Sequence, residues 1–577
     1  MRTALFAHNE QWCYLDFFQR KVERDGFTLS QHALPPQEAT PGRVLEAHNR
    51  VDQLHGLSTS YLVDILPDRK GLRVVFHAWF EPVANVGQSN MRSASSRSSH
   101  RQSSASGSSS SSHSETNEGK AQLRRLLALA RGVAKLPDLV RRRRFGVQVP
   151  ADLTAIFVSN PRCPCCTRSL APVKLSLAVA ASAIASRSLA PLKMDTRRCY
   201  LCGYLVCIDC WNAEHMESAA GRLAAIVVCT RCHACVQACD YSEVCNPDSE
   251  RHCGPTRVVA DPPEVSAVSL LVDFLDASLA QAPIGSSERA VVLSVIRTLL
   301  QQEQRGDTTE DDDDGGCSGQ QQEDEDVTKL GHLLGDEQRL PTLEACKLGN
   351  AERRNYLLDL PDDPETSVPC GPMPSDEDAR LSAARAAGLL LLVDRLAPEI
   401  PLTEQEAVDA PDVRDLELLC ELAVKVLGCS DAFVTVMGPR HEHVLAATHP
   451  GFARAAVPRE QTMCQHALMA SYPFLITHPE ADVRFQAQGP TSQVPIRFYV
   501  GFPVTAPLLE KARSDSDGLQ ITVGMLCCIA KTPRAEITRS EYATMTRLAS
   551  TASHFLQRKG QQLQQELAQV VEASLAA

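Results

Sequence analysis

Hydrophobic and polar positions along the chain divide it into stretches of different period. Tyr61 to Phe80 (YLVDILPDRKGLRVVFHAWF) reads as two β-branched and aromatic strands joined by a turn at Pro67, Asp68 and Gly71. Upstream, Cys13 to Leu34 gives a strand–turn–strand pattern with Asp25-Gly26 at the turn. Leu123 to Val140 has the spacing of an amphipathic helix and ends in Arg141–Arg144, while Val265 to Leu300 again has helical periodicity. Leu381 to Leu396 predicts one isolated amphipathic helix. From Leu402 onward the pattern is globular. Leu416 to Leu427 predicts a helix stopped by Gly428, and Ala432 to Met437 a strand with Val444 to Thr448 as its hairpin partner. Met463 to Ala470 predicts a short helix and Phe474 to Thr477 a strand. Phe498 to Val504 and Thr522 to Ile529 predict two further strands, and Ser540 to Gln557 a closing helix that runs on through Gln561 to Val571. Helix, antiparallel strands, central helix, strands and final helix predict an α+β sandwich.

Between these stretches the composition changes. Residues 92–118 are Ser-rich and nearly free of apolar side chains, too polar to offset the entropy of ordering. An acidic linker of Gln, Glu and Asp centres on Asp311–Asp314, and Pro361 to Pro374 reads as a second linker. At 577 residues the chain is too long for one core and implies roughly three or four units. The formal charge of −12 is unevenly spread, basic near residue 140 and acidic near 311, so no bulk nucleic-acid signal follows. The first residues lack the long apolar core of a secretory signal. The longest weakly polar stretch, Leu175 to Ser186, is well short of the ~20 residues of a membrane span. It is bracketed by a short duplication, Arg168 to Lys174 and Arg187 to Lys193. A cytoplasmic location with reduced thiols is the expectation.

That expectation gives the 22 cysteines their meaning, because clustered cysteines in a reducing compartment point to metal rather than to disulfides. Thirteen fall between Cys163 and Cys253, among them four Cys-x-x-Cys pairs: Cys163/Cys166, Cys199/Cys202, Cys207/Cys210 and Cys229/Cys232. Two thiolates separated by two residues close on one ion through a tight turn, and two such pairs supply the tetrahedral four-sulfur shell that zinc prefers. Eight ligands make two zinc ions. The short gap between Cys202 and Cys207 disfavours pairing neighbours, so interleaving is expected. Cys163, Cys166, Cys207 and Cys210 would take one ion, and Cys199, Cys202, Cys229 and Cys232 the other. Cys229, Cys232, Cys235 and Cys239 also have ferredoxin-type spacing, but Asp240 stands where that motif has Pro and no second copy is present. Cys464 and His466 read as a nucleophile–base pair or as a buried thiol beside a polar His, and the second reading is preferred because i and i+2 do not share a helix face.

The run Arg197-Arg-Cys-Tyr-Leu-Cys-Gly-Tyr-Leu-Val-Cys-Ile-Asp-Cys210, followed by Val227-Val-Cys-Thr-Arg-Cys232, resembles a FYVE zinc finger, in the four-residue gap containing Gly203 and in the 18-residue gap before Cys229. The resemblance implies a cross-brace double finger that binds phosphatidylinositol 3-phosphate on endosomal membranes, with Arg197 and Arg198 standing in the lipid-binding stretch. A RING finger, with ubiquitin-ligase activity, is the alternative family. The strand order before the finger resembles the C-terminal half of a START lipid-binding domain, without that fold's N-terminal helix and first strands. Arg459-Glu-Gln-Thr-Met-Cys-Gln-His466, His478-Pro-Glu-Ala-Asp-Val-Arg-Phe485, Ile496-Arg-Phe-Tyr-Val-Gly-Phe-Pro503 and Val523-Gly-Met-Leu-Cys-Cys-Ile529 resemble a GAF domain. GAF domains hold small molecules or pack as regulatory dimers. Arg484, Arg497 and Tyr499 would line such a pocket or brace its loop.

The expected organisation is a multidomain α+β chain, with a cross-brace double zinc finger and a GAF-type antiparallel sheet flanked by helices. A partial START-like region (1–145, with the Ser-rich insert 92–118) precedes the FYVE-like finger (155–255). A helical segment (256–300), an acidic disordered linker with an isolated helix (301–400), a GAF domain (405–559) and a helical tail (560–577) follow. The expected function is that of a non-catalytic zinc-binding adaptor or sensor, peripheral on endosomal membranes. A zinc-stabilised protein scaffold without lipid binding is the alternative, as is the RING-type ligase. A homodimer through the GAF domain is the expected assembly.

Overall fold

The computed structural model describes residues 9–21, 26–35, 38, 51–66, 72–81, 111–158, 160–170, 196–218, 220–242, 244, 256–262, 267–304, 319–364, 367–400, 402–487, 496–508 and 519–576. Several sequence readings lie outside them: the turn at Pro67–Gly71, residues 92–110, Leu175–Ser186, the duplicate at 187–193, Asp311–Asp314, Cys245 and Cys253. The chain divides into two compact units, Met1–Val140 and Arg141–Ala577.

The first unit is a four-stranded antiparallel sheet in the order β1-β2-β3-β4: β1 (Tyr14–Lys21), β2 (Gly26–Ala33), β3 (Leu57–Ile65) and β4 (Leu72–Phe80). Aromatic cross-strand neighbours set its register, Tyr61 opposite Phe76 with ring centroids 4.9 Å apart. Helix α1 (Ser111–Val133) follows, so the last eight residues of the Ser-rich insert, 111–118, are helical and not irregular. Helix α2 (Leu136–Val147) continues the chain into the second unit.

The C-terminal part of the second unit is built on a six-stranded antiparallel sheet. Its strands are β7 (Asp431–Met437), β8 (His441–Ala447), β9 (Ala456–Pro458), β10 (Phe474–Ile476), β11 (Phe498–Pro507) and β12 (Gln520–Ala530), in the order β9-β8-β7-β12-β11-β10, after β5 and β6 of the cysteine region described below. One face carries the main apolar core. It packs against α9 (Arg414–Leu427) and α11 (Arg539–Ala576), and α4 (Ala267–Gln281), α5 (Ser287–Gln304) and α6 (Gly319–Gly335) share the same core, while the single turn α10 (Cys464–Ala467) belongs to the other face. Helix α9 is amphipathic, with Leu416, Leu419, Leu422, Ala423 and Val426 buried, and Gly428 at φ +60° ends it in a left-handed cap. The other face is lined by Phe433, Met437, Phe474, Phe485, Tyr499 and Met525. The α+β expectation therefore holds.

Residues 301–400 differ from a disordered linker with one isolated helix. Within them lie α6 and the pair α7 (Glu377–Ala386) and α8 (Leu389–Leu396), which pack on the core. The run 381–396 reads as one helix because its apolar spacing continues, but Gly388 at φ +74° breaks it. A Cβ at Gly388 would meet the Gly560 carbonyl oxygen at 2.3 Å, so two glycines let the helix pair abut α11. The segment 256–300 likewise joins this core: Val258–Val259 pairs in parallel with Ile537–Thr538. The tail from 560 is a direct continuation of α11. No helix among the described residues is long and apolar enough to cross a membrane.

Candidate metal centres

The cysteine region is held by turns. Cys163 and Cys166 close a turn in which the Thr167 amide donates to the Cys163 carbonyl at 2.9 Å, with Thr167 at φ +61°. Cys199 and Cys202 close a matching turn. The Gly203 amide donates to the Cys199 carbonyl at 3.0 Å, and Gly203 sits at φ +87°. Cys207 caps a single 3-10 turn, Ile208–Cys210, and Cys210 is its last residue. Strands β5 (Trp211–Glu217) and β6 (Leu223–Cys229) form a hairpin that delivers Cys229, and Cys232 lies in the first turn of α3 (Thr230–Ala238).

These turns bring the eight cysteines into two groups. The ligand atoms of Cys163, Cys166, Cys207 and Cys210 lie within 4.8 Å of one another, as do those of Cys199, Cys202, Cys229 and Cys232. First pair meets third, and second meets fourth. The Sγ–Sγ separations are 3.5 Å for Cys166–Cys207, 3.7 Å for Cys199–Cys232 and 3.9 Å for Cys202–Cys229. A tetrahedral ion with ~2.3 Å metal–sulfur bonds has sulfur–sulfur edges of about 3.8 Å, so both donor sets fit one ion each. The Cys229 and Cys232 amides donate to the sulfurs of Cys199 and Cys229 at 3.3 and 3.4 Å, contacts that favour thiolate. Burial pushes the Cys232 thiol well above its ordinary range, and the sulfurs of Cys199, Cys202 and Cys229 push it the same way. A divalent cation among them reverses that balance by holding thiolates. Cys235 and Cys239 are buried on and just after α3 and join neither group, so the ferredoxin spacing does not become a cluster.

Arg198 is spent on the fold. Arg198 donates to three main-chain carbonyls, Gly203 at 2.9 Å, Leu153 at 2.5 Å and Ile156 at 2.7 Å, and so braces the second turn from behind. Arg197 lies over the Trp211 ring at 5.8 Å. Of the two arginines read as a lipid-phosphate pair, Arg198 thus turns its Nε and both Nη atoms toward main-chain carbonyls, while Arg197 is exposed beside Trp211. Arg141–Arg144, at the end of α2, are engaged by neighbours while Arg143 stays 61 % exposed. Arg141 pairs with Glu214 at 3.0 Å, Arg142 with Glu217 at 2.5 Å, and Arg144 lies over Tyr241 at 5.0 Å.

Two residues that sequence reasoning passed over tie this region to the C-terminal sheet. Arg354, 1 % exposed, donates to the Leu201 carbonyl inside the Cys199–Cys202 turn, to Tyr356 O at 2.9 Å and to Val149 O at 3.2 Å. The Leu358 amide donates to the Cys202 carbonyl at 3.1 Å. The Tyr356 hydroxyl then meets His466 Nδ1 at 2.9 Å and Arg484 Nη1 at 3.3 Å. Beside them Gln148 donates to Ala481 O at 2.7 Å and the Asp240 amide to Glu480 O at 2.9 Å.

No family model matches this chain, and no curated protein matches it. Solved structures do resemble it. The blue-light absorbing form of the PixJ GAF domain of Thermosynechococcus elongatus shares 17 % identity over 27 % of this chain and 90 % of that one, with a TM-score of 0.19. The GAF domain of a protein assigned as a sensor histidine kinase from Pseudomonas syringae pv. tomato shares 16 % over 33 % and 99 %, TM-score 0.17. The chromophore-binding domain of a Stigmatella aurantiaca bacteriophytochrome shares 13 % over 32 % and 63 %, TM-score 0.19. The likeness is weak at these scores, and nothing about a ligand of this chain follows from it.

Within the C-terminal sheet the residues singled out earlier do structural work. His466 is fully buried, and burial followed by the charges of Arg484 and Arg354 holds its pKa well below the usual value, so it is neutral. Its Nδ1 is committed to Tyr356, while the Cys464 sulfur accepts from the Tyr499 hydroxyl at 3.1 Å and lies 3.7 Å from Cys527. Burial raises the Cys464 thiol. A protonated thiol and a neutral imidazole turned elsewhere are no nucleophile–base pair. Arg484 braces its loop on Asp482 at 2.6 Å, and Arg497 lies 3.6 Å from Glu480.

Proposed function

We propose that this chain is a non-catalytic regulatory protein: a scaffold of two cross-braced zinc ions docked on a GAF-type domain that carries the sensing or dimerising role. The observation that supports this reading most directly is the pair of four-sulfur groups with single-ion edges. Zinc is the assignment because four thiolates in a closed tetrahedral shell with no open position suit a structural zinc ion. GAF is assigned from the sequence stretches at 459–529 together with the antiparallel sheet between α9 and α11. The N-terminal sheet is assigned, on strand order alone, as a truncated START-like unit.

Between the adaptor that reads a phosphoinositide surface and the protein scaffold, the commitment of Arg198 favours the scaffold. Metal analysis of the purified full chain tests the proposal: two zinc per chain is the expected result, and iron or no metal overturns it. Liposomes carrying phosphatidylinositol 3-phosphate should pellet no more protein than liposomes without it. An active autoubiquitination assay would replace the scaffold with the ligase reading.

A further inference from the structure

From the second cysteine group to His466, beside the interior of the six-stranded sheet, runs a series of buried polar contacts, and the backbone of the short helix that carries His466 continues it to Cys464. Leu201 lies inside the Cys199–Cys202 turn and gives its carbonyl to Arg354. Arg354 also grips the Tyr356 carbonyl, and the Tyr356 hydroxyl meets His466 and Arg484. His466 is two residues from Cys464, which accepts from Tyr499 on β11 and touches Cys527 on β12. Arg354, Tyr356, His466, Arg484 and Tyr499 are all 5 % exposed or less. A buried guanidinium is tolerated only while its donors are satisfied, so such a series holds together or fails together.

We infer that the ion held by Cys199, Cys202, Cys229 and Cys232 governs the rigidity of the sheet interior around Cys464 and His466, with Arg354 and Tyr356 as positioning residues that carry the coupling. The inference rests on the metal reading above. An ion fixes the Cys199–Cys202 turn, and the turn fixes the Leu201 carbonyl. Releasing the ion frees that carbonyl from Arg354, which then has to find another acceptor, and Tyr356 moves with it because the two share a backbone and a hydrogen bond. The hydroxyl is thereby withdrawn from His466. Coupling of this kind is reciprocal, so weakening the far end must loosen the ion. The first cysteine group is joined across its turns by an exposed pair, Arg168 with Asp209, and the contacts of Arg354 and Tyr356 described above include none of its four cysteines.

The test uses the full chain, loaded with zinc and then treated with a chelator, and follows amide hydrogen exchange in peptides covering 463–470 and 498–504. Chelation should raise exchange in both by about tenfold or more. Tyr356→Phe removes one hydroxyl and keeps the ring, so it avoids the folding failure that an Arg354 variant risks. This variant should still bind two ions and exchange faster at 463–470 while loaded. It should release one of its two ions to chelator about fivefold faster, the other at the unaltered rate. Zinc that leaves without any change in exchange overturns the coupling and leaves the metal reading intact, as do unaltered release rates for both ions in Tyr356→Phe. A chain that takes up no metal overturns both.

Discussion

The two cysteine groups use the same donors and similar turns, yet their surroundings differ. In the first, Cys166 is exposed and the turn ends on Thr167, a β-branched residue held at φ +61°. In the second, all four cysteines are buried, and the turn ends on Gly203, where φ +87° suits glycine. Arg198 and Arg354 hold that second turn through four main-chain carbonyls outside the metal shell. The difference teaches that ligand chemistry alone does not rank two sites. The second is a joint between the metal region and the C-terminal sheet, and the first is a peripheral staple.

The sharpest way to break this comparison is to remove one ligand from each group. Cys232→Ser should lose its ion and unfold the cysteine region, forfeiting much of the ~10–16 kcal/mol of a structural zinc site. Cys166→Ser should lose one ion while the melting of the C-terminal domain is nearly unchanged, as metal content and thermal unfolding will report. Next in size is Arg354→Met, which leaves two buried carbonyls and one part-buried carbonyl without their donor and should cost about 3 kcal/mol in denaturant unfolding. Equal destabilisation by Cys166→Ser and Cys232→Ser would erase the distinction between joint and staple.

The two turn residues give a finer contrast. Gly203→Ala forces a side chain into the left-handed region, with its Cβ 3.0 Å from Leu357 Cδ2 and 3.2 Å from Ala151 Cβ, and should cost about 1–2 kcal/mol. Thr167→Gly relieves the same strain in the first turn and should change stability by less than about 1 kcal/mol, in the stabilising direction. Unfolding curves of the two variants decide the signs.

A last contrast lies outside the metal region. Glu377 on α7 is bonded by Arg380 at 2.7 Å and Arg459 at 2.7 Å. Burial works to raise its pKa, but the two guanidinium groups win and bring it down to about 2. A carboxyl depressed on folding adds stability above its ordinary value near 4.5, and that stability is lost as pH falls from there towards 2. Glu377→Gln should therefore flatten the acid limb of stability between those pH values and leave metal content unchanged.

How much of this was legible in the sequence depended on the distance between partners. The four Cys-x-x-Cys pairs announce themselves because each turn is local, and the four-residue gap at 203–206 is too short for its flanking pairs to share an ion. Five of the six strands between Asp431 and Ala530 were visible through period and β-branched content, and α9 through its apolar stripe and Gly428, whereas the three-residue β9 was too short to show. Arg354 and Tyr356 were illegible, since they sit among polar and Pro-rich residues and their partners Leu201 and His466 lie 153 and 110 positions away. Arg198 misled for a related reason. Two adjacent arginines read as a charged surface, and nothing local reveals that the carbonyls of Leu153 and Ile156 wait behind one of them. The break at Gly388 was hidden by the leucines that follow it, and its reason is the distant Gly560.

The most direct test of the account is cadmium-113 NMR of the chain with cadmium in place of zinc, correlating each metal with its cysteine protons. The account predicts two resonances, one coupled to Cys163, Cys166, Cys207 and Cys210 and the other to Cys199, Cys202, Cys229 and Cys232. A resonance coupled to Cys163, Cys166, Cys199 and Cys202 together, or a single resonance, would contradict it.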